Sequence, residues 1–386
     1  MAWTGIGPAL AACAEGQGLV AWGRCVGGAL VDTTGRLPLD PPGPEGAVGR
    51  VEGSLVGGTL VVDRAEWSEV GPALPAAARV EAIRRRFELV ARLRAELGAR
   101  GYLEVDTPLL LEAAGTDPFI EPIPAELRPT WNPQLGERTL YLHTSPELEL
   151  KRLLCLGFPA IFQVGHVFRQ GDLSPWHEPE FCMAEWYRVG WSAAQLADEL
   201  IEVCAQIMPL PEVHRLSVEQ LCGVDLLDLQ EGPALSRALG WPEEPFVHAF
   251  SRLWLERVEP RLVELGAVLV VDWPAALSML ARRRPEDPRV AERFELVVHG
   301  VELANGFGEL TDPVEQRARF QADLAMRAVE GLPAAPMPER FLAALAAGIP
   351  PCAGVALGVD RLIALALGVE GVAPTLSSPI GCRSSS

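Results

Sequence analysis

The chain has 386 residues, of which 49% are hydrophobic, and a formal net charge of −18. Its length suits one large domain with a small appendage, and charges and prolines interrupt every apolar run well before the roughly 18 residues of a membrane helix. The acidic charge disfavours stable tRNA binding, because contacts between basic side chains and phosphates supply most of the affinity for nucleic acid.

The cysteines indicate a reducing compartment. None of the eight belongs to a CxxC pair, and most lie in apolar sequence, as buried thiols do rather than zinc ligands or disulfide partners. The first residues, MAWTGIGPALAACAEG, lack the basic segment of a secretory signal peptide. We therefore expect a cytoplasmic protein with no membrane contact.

The N-terminal 70 residues have the pattern of a small β-rich module. Short strand candidates alternate with Gly- and Pro-rich turns; they are Gly18–Arg24, Gly28–Asp32, Val48–Glu52 and Thr59–Arg64. This spacing predicts a partial OB-like barrel at residues 1–70 without the basic face or exposed aromatic row of a nucleic-acid site. A linker is expected at 71–78, before a larger domain at 79–386.

A helix is expected at the start of the larger domain. Apolar residues recur at helical spacing from Ala76 to Leu97, and Gly98 ends the pattern. Two basic clusters, at 84–86 with Glu81 and Glu88 nearby and at 282–284, are each better explained by a solvated helix face than by a nucleic-acid site. A strand, Tyr102–Asp106, follows.

A long hairpin is predicted in the middle of the chain. Ile161–Val164 is a strand candidate leading to Arg169, and Phe181–Tyr187 returns after a polar loop. Alternation places Phe181, Glu185 and Tyr187 on one face. An arginine binds phosphate bidentately, a phenyl ring offers a flat apolar surface, and a carboxylate beside a phenol suits an ammonium group. From spacing alone, an ordinary half-exposed hairpin explains the pattern equally well.

The next segment has no cluster of ligand-type residues. Amphipathic patterns predict helices at Ala193–Met208, Ser217–Leu221 and Pro233–Leu239. Val268–Pro274 has the apolar run of a buried strand. His214 and His248 are expected to be surface or packing residues.

Two C-terminal motifs carry further chemistry. In GVELANGFGEL, Glu302 and Glu309 flank an Asn-Gly turn signal. Magnesium takes one or two carboxylates plus phosphate oxygens, so this pair suits a metal ion beside a triphosphate. In GVALGVDRL, a Gly-punctuated strand enters an apolar helix that is predicted to be buried and to end near Leu367. Arg361 in its first turn is placed to stack on a ring or to bind phosphate.

Together, in this order, these segments resemble class II aminoacyl-tRNA synthetases. GYLEVDTPLLL at 101–111, FRQGDLSPWHEPEFCMAEWYR at 168–188 and GVALGVDRL at 354–362 are similar to motifs 1, 2 and 3 of that class. TSPE at 144–147 and GVELANGFGELTD at 300–312 resemble the lysyl type, and most of all the short paralogues that lysylate elongation factor P. The likeness implies an α+β fold, with an antiparallel sheet flanked by helices, and a homodimer.

The resemblance also implies a mechanism and its residues. Lysine or (R)-β-lysine is activated by ATP and Mg²⁺ as an adenylate and passed to a lysine side chain of elongation factor P, through positioning and charge stabilisation. Arg169, Glu302, Glu309 and Arg361 are the implied catalytic residues, with magnesium on Glu302 and Glu309. The implied ATP site comprises Arg169, His177, Phe181, Glu302, Leu303, Gly358 and Arg361. The implied amino-acid site comprises Ser145, Glu147, Glu185, Tyr187, Asn305 and Ala356.

Three positions depart from the family pattern in motif 2. Gly171 stands in place of a glutamate unless Asp172 substitutes, Pro175 in place of an arginine, and Glu178 in place of an asparagine. A carboxylate about 5 Å from a phosphate oxygen costs on the order of 3 kcal/mol at an effective dielectric constant of about 20. A second hypothesis is therefore a catalytically silent paralogue that acts as a binding or regulatory protein. A third is a compact lysyl-tRNA synthetase, which the acidic charge and slight N-terminal module disfavour.

Overall fold

The structure is a computed structural model that describes residues 6, 18–32, 35–44, 48–67, 77–132, 134, 136–278 and 280–380. The chain divides into two compact units, Met1–Glu88 and Leu89–Ser386. The division falls inside a helix, Ala77–Ala99. Since most of the expected linker lies outside the described residues, the boundaries 1–70, 71–78 and 79–386 stay a prediction.

The first unit contains a closed five-stranded barrel with the strand order β1-β2-β3-β5-β4. Its strands are β1 (Gly18–Val26), β2 (Ala29–Asp32), β3 (Gly35–Asp40), β4 (Val48–Val56) and β5 (Thr59–Trp67). Leu30, Leu37, Val51 and Leu60 are fully buried inside it. Strand β3 was not predicted because Pro38 weakens its strand pattern. The β-rich module is therefore a complete barrel rather than a partial one.

The second unit is built on an eight-stranded sheet with the order β12-β13-β16-β17-β18-β11-β10-β6. Two small sheets, β7-β9-β8 and β14-β15, accompany it. The strands of this unit are β6 (Leu103–Glu104), β7 (Leu110–Leu111), β8 (Pro124–Leu127), β9 (Arg138–Leu142), β10 (Ala160–Phe168), β11 (Glu180–Val189), β12 (Val213–Ser217), β13 (Ala267–Val271), β14 (Trp273–Pro274), β15 (Val290–Ala291), β16 (Arg293–Val298), β17 (Val301–Gly308) and β18 (Cys352–Gly358). The ladders are antiparallel except β12 with β13 and β6 with β10. This confirms the α+β fold class.

Helices cover both faces of the large sheet. They are α1 (Ala77–Ala99), α2 (Glu147–Cys155), α3 (Ala193–Ile207), α4 (Val218–Cys222), α5 (Ala234–Ala238), α6 (Phe246–Leu253), α7 (Glu259–Leu265), α8 (Pro313–Val329), α9 (Glu339–Ala347) and α10 (Val359–Leu367). A π-helical turn, Trp254–Val258, joins α6 to α7. Within the described ranges, no helix combines the length and apolar character needed to span a membrane.

The strands that carry motifs 2 and 3 lie in the middle of the sheet. On one face, Trp186 of β11 and Val355 of β18 pack with Leu196 of α3 and Leu362 of α10 in one apolar cluster. On the other face, Tyr187 packs with α2 and α9 in a second cluster. Because both faces of β11 are covered, its side chains have fixed positions at the base of the site.

Candidate active site

Strand register brings the predicted amino-acid residues together. Glu185 of β11 pairs with Ala356 of β18, and Ala356 pairs with Asn305 of β17. The row continues to Glu295 of β16. Since residues directly opposite each other on neighbouring strands point to the same face, these side chains form one line across the sheet.

A cavity of about 580 Å³ opens above this row. Most of the predicted site residues line it; they are Ser145, Glu147, Arg169, His177, Phe181, Glu185, Glu302, Leu303, Asn305, Ala356, Gly358 and Arg361. Glu309 and Tyr187 do not belong to the lining. Both are buried beneath it, with exposed fractions of 0% and 3%.

One end of the cavity is acidic. Ser145 Oγ donates a hydrogen bond of 2.5 Å to Glu185 Oε1, and the Tyr187 hydroxyl donates one of 3.1 Å to Glu185 Oε2. Burial, together with the charge of Glu147, raises the pKa of Glu185 to about 8. Tyr187 therefore contacts the cavity residue Glu185 from below, and its place in the amino-acid site stays a prediction.

The only lysine of the chain, Lys151 on α2, lies under this acidic end. Its Nζ is 2.6 Å from Glu147 Oε1 and 2.5 Å from Glu309 Oε2, and its side chain has no exposed surface. Burial alone would lower the pKa of Lys151, but the two carboxylates outweigh burial and raise it. Burial raises the pKa of Glu309 to about 7, against the effect of the Lys151 ammonium group.

The predicted pair of magnesium ligands does not meet in the cavity. Glu302 lines the cavity, but Glu309 turns away from it to the buried ion pair with Lys151. No group of three or more His, Cys, Asp or Glu side chains among the described residues is arranged to hold a metal ion. Glu309 follows Gly308, the last residue of β17, and its role as a magnesium ligand stays a prediction.

The other end of the cavity carries two guanidinium groups. Arg169 follows β10, and its Cζ lies 5.2 Å from the centroid of the Phe181 ring. Its Nε is buried and makes no hydrogen bond within the described part of the chain. Burial lowers the pKa of Arg169, and the carboxylates of Asp172 and Glu302 oppose this change. A desolvated guanidinium with an unused donor suits an anionic ligand.

Arg361 is held by backbone carbonyl groups. Its Nη1 donates to Glu302 O at 2.8 Å and its Nε donates to Trp176 O at 3.3 Å. Its Nη2 contacts His177 Nε2, which must accept because guanidinium only donates. His177 Nδ1 then carries the proton and donates to Ser174 Oγ at 2.7 Å. Burial and the nearby Arg361 charge lower the pKa of His177 and favour this neutral form.

The departures in motif 2 have local structural counterparts. Gly171 has a φ of +85°, a conformation that a glutamate rarely adopts, so the turn itself differs from one built around that residue. Asp172 is close enough to affect the pKa values of Arg169 and His177, although it does not line the cavity. Glu178 is buried and accepts a hydrogen bond of 2.9 Å from Ile380 N.

Arg293, which was not predicted, lines the cavity beside Asn305. Its Nε donates to Asn305 Oδ1 at 3.3 Å, its Nη2 pairs with Glu295 at 2.5 Å, and its Cζ lies 4.0 Å from the centroid of the Trp273 ring. These contacts fix the Asn305 amide with its oxygen toward Arg293. The alternation of Arg293, Glu295 and apolar residues in RFELVV is the one signal that pointed to this face.

The acidic wall opposite the sheet was also missed. Asp117 and Asp323 line the cavity, and burial raises the pKa of each. Asp323 Oδ2 accepts from Thr116 Oγ1 at 2.8 Å, and Asp117 Oδ1 accepts from Phe119 N at 2.7 Å. They come from a loop and from α8, which no single motif connects.

Arginines of the two basic clusters form ion pairs with carboxylates. On α1, Arg84 pairs with Glu81 and Glu88, as expected of a solvated helix face. The cluster at 282–284 also pairs with carboxylates, but it lies in an irregular segment with isolated bridges rather than on a helix. Neither cluster forms an uninterrupted basic surface.

Comparisons with known proteins agree with this geometry. The family model for class II tRNA synthetases (D, K and N) matches residues 76–379. An elongation factor P--(R)-beta-lysine ligase of Vibrio vulnificus (strain YJ016) is 40% identical over 303 residues, which cover 75% of this chain and 93% of that protein. The ligase of the same name from Proteus mirabilis (strain HI4320) is 38% identical over 81% of this chain and 99% of that protein.

The relative from Hamiltonella defensa subsp. Acyrthosiphon pisum (strain 5AT), which has the same name, is 37% identical over 82% of this chain and 98% of its own length. The barrel lies outside the range that the family model matches. The residues from 76 to 379, with their antiparallel sheet and the cavity above it, show that the chain belongs to the class II tRNA synthetase family of the D, K and N type.

Proposed function

We propose that this protein activates lysine or (R)-β-lysine with ATP and transfers the acyl group to a lysine side chain of elongation factor P. The observation that carries the proposal is one cavity with two unlike ends, a guanidinium pair at one and a buried carboxylate cluster at the other. The names of the relatives supply the acceptor and the lysine isomer.

The acidic end suits a diamino acid. Glu147, Glu185 and Glu309 are three carboxyl groups, and Lys151 is the one ammonium group among them. Buried carboxylates in excess of buried ammonium groups are costly unless a cationic ligand compensates them. An ammonium group of the substrate would supply that charge, and its binding would favour the ionised form of Glu185.

The guanidinium end suits ATP. In the first step the substrate carboxylate attacks the α-phosphorus, and pyrophosphate leaves. Arg169 would bind the α-phosphate and stabilise the charge that develops on it, Arg361 would bind the outer phosphates or the adenine, and Phe181 would offer a stacking face. In the second step the acceptor amine attacks the acyl carbonyl carbon and AMP leaves, so no protein nucleophile is needed.

Magnesium is part of the proposal, with Glu302 as its ligand from the cavity lining. Mg²⁺ bound beside a triphosphate uses one or two carboxylates and takes its other ligands from phosphate and water. Glu302 lines the cavity and fits this role; Glu309, which pairs with Lys151 beneath the cavity, stays the predicted second ligand. The ion would neutralise phosphate charge at the guanidinium end.

The silent-paralogue hypothesis keeps one specific observation in its favour, the altered motif 2 with Gly171, Pro175 and Glu178. The compact lysyl-tRNA synthetase hypothesis has less support, since the net charge is −18. A cytoplasmic location and a homodimer remain predictions for this chain.

Lysine-dependent exchange between ATP and pyrophosphate tests the activation step. We expect exchange with L-lysine or (R)-β-lysine and a large loss in Arg169→Ala. If neither isomer supports exchange, the hypothesis of a catalytically silent binding protein is favoured.

Labelling of the acceptor tests the second step. We expect the acyl group on elongation factor P and not on tRNA. Transfer to tRNA alone would favour the synthetase hypothesis instead.

A further inference from the structure

The loop of motif 2 is tied to the C-terminal segment at two points. Val372 N donates to Pro175 O at 2.8 Å, and Ile380 N donates to Glu178 Oε2 at 2.9 Å. Gly371 passes so close that a Cβ there would lie 2.3 Å from Pro175 O. We call residues 371–380 the C-terminal strap.

The strap is itself ordered by packing. Val372 and Thr375 are 2% and 0% exposed, and Thr375 Oγ1 donates to Val372 O at 2.8 Å across a short 3-10 turn, Ala373–Thr375. Val372 also lines the cavity. A fixed strap can therefore set the position of the loop that it contacts.

The tied loop carries the groups at the guanidinium end. Between Pro175 and Glu178, Trp176 O and the His177 ring both contact Arg361. Ser174 and His177 close the loop with reciprocal backbone hydrogen bonds of 3.1 and 3.2 Å. Displacing the loop would therefore displace His177 and the guanidinium of Arg361 together.

Glu178 is buried, and its carboxylate is oriented toward the C-terminal strap. Its exposed fraction is 4%, and the oxygen Oε2 is directed to the Ile380 amide. Glu178 also lines the cavity, so its carboxylate lies between the ligand space and the strap.

We propose that Glu178 is a positioning residue that joins the strap to the motif 2 loop and so holds His177 and Arg361 in the geometry that binds ATP. The proposal rests on the proposed function only for the identity of the nucleotide. It also gives the Glu178 side chain a structural role, since the strap contacts the Pro175 backbone carbonyl and the Glu178 carboxylate three residues apart.

The test compares Glu178→Ala, Glu178→Gln and a chain truncated after Pro379, using the Kd for ATP and the KM for ATP in the exchange reaction. We expect E178A to raise both about tenfold, the size of a lost hydrogen bond to a charged group, with kcat less affected. Gln keeps an acceptor oxygen, so E178Q should restore most of the affinity. The matched control is Glu180→Ala, because Glu180 is a nearby exposed glutamate that contacts His166.

A double-mutant cycle gives the sharper result. If the carboxylate acts through Ile380, then truncation should raise the Kd by about the same factor, and E178A should add little in the truncated chain. Hydrogen exchange at the Ile380 amide should accelerate in E178A and not in E180A.

Several outcomes would overturn the proposal. If E178A and E178Q both bind ATP more tightly than the parent chain, Glu178 acts by repulsion. Additive effects of E178A and the truncation would show that the strap and the carboxylate are independent. A parent chain that binds no ATP would overturn this proposal and the proposed function together, whereas ATP binding without lysine-dependent exchange would overturn the proposed function alone.

Discussion

The two ends of the cavity are built in different ways. At the acidic end, side chains from different segments bond to one another, as in the contacts of Glu185 on β11 with Ser145 before α2 and with Tyr187 on β11. At the guanidinium end, Arg361 depends on carbonyl groups of neighbouring segments, and Arg169 Nε has no hydrogen-bond partner among the described residues.

This difference predicts how substitutions at each end will affect stability and ligand binding. The acidic end is preorganised by a buried network, so changes there should appear first in the stability of the protein. The guanidinium end is held by a loop and a strap, so changes there should appear in ATP binding and rate more than in unfolding. Four substitutions test this division.

Removing the buried ammonium group should have the largest effect. Lys151→Met leaves Glu309 buried without its cationic partner, and breaking a buried ion pair costs about 3–5 kcal/mol. We expect the free energy of unfolding in urea to fall by that amount. Arg152→Met, on the same helix but in a more exposed pair with Glu149, should cost less than about 1 kcal/mol. Equal effects of the two substitutions would contradict the division.

At the other end, Arg169→Ala should lower the exchange rate about 10²–10³-fold, the usual effect of losing one donor to a developing charge. Its effect on the urea midpoint should be small by comparison. Arg289→Ala removes a surface arginine paired with Asp228 and should leave the exchange rate unchanged. A loss of stability in R169A as large as in K151M would argue that both ends are structural.

A methyl group at Gly354 tests how tightly the acidic end is packed. A Cβ there would lie 2.1 Å from Tyr187 Cε1 and 2.4 Å from Glu309 Oε1. Gly354→Ala should therefore cost about 1–3 kcal/mol of stability and weaken lysine binding. Gly98→Ala is the matched control, because nothing lies within 4 Å of the Cβ it would add. Thermal unfolding and lysine titration of both variants would show whether the effect is local.

The smallest expected effect is a dependence on pH. Because the pKa of Glu185 is raised to about 8, the folded protein binds more protons than the unfolded chain between about pH 5 and 8. Stability should fall as pH rises through this window, by at most about 1.4 kcal/mol per unit for one group. Glu185→Gln should flatten the curve, whereas Glu330→Gln, at an exposed position, should not.

Lysine binding should show the opposite trend. An ammonium ligand needs Glu185 ionised, so the affinity of the parent protein for lysine should rise from pH 6 to 8 with release of a proton. Calorimetry in buffers of different ionisation enthalpy measures that proton. A constant affinity over this range would remove Glu185 from the binding step.

The sequence predicted what local patterns determine. Alternation in EFCMAEWYRV fixed the face that Phe181 and Glu185 share, and β11 at Glu180–Val189 confirms the returning strand. The helix from Ala193 was predicted to within one residue, because its amphipathic spacing is a local signal. The resemblance to class II synthetases added what these local signals could not give, namely that the segments follow the order of motifs 1, 2 and 3 of that class.

Long-range contacts set the limit. Lysine is almost never fully buried, so nothing in SPELELKRLL indicated that Lys151 would take Glu309 away from the cavity. The position of Arg293 beside Asn305 depends on the pairing of β16 with β17, which the sequence does not specify. The contact of Glu178 with Ile380 joins positions 202 residues apart.

The burial of Lys151 has a consequence for labelling chemistry. A protein that makes an activated aminoacyl group brings an acylating agent close to its own nucleophiles, and lysine amines are the usual targets. Here the one lysine side chain has no exposed surface and forms ion pairs with Glu147 and Glu309, so its amine is not accessible to solvent. Under the proposed function, Lys151 would therefore not compete with the external acceptor amine. Amine-reactive esters should leave Lys151 unlabelled until the protein is unfolded.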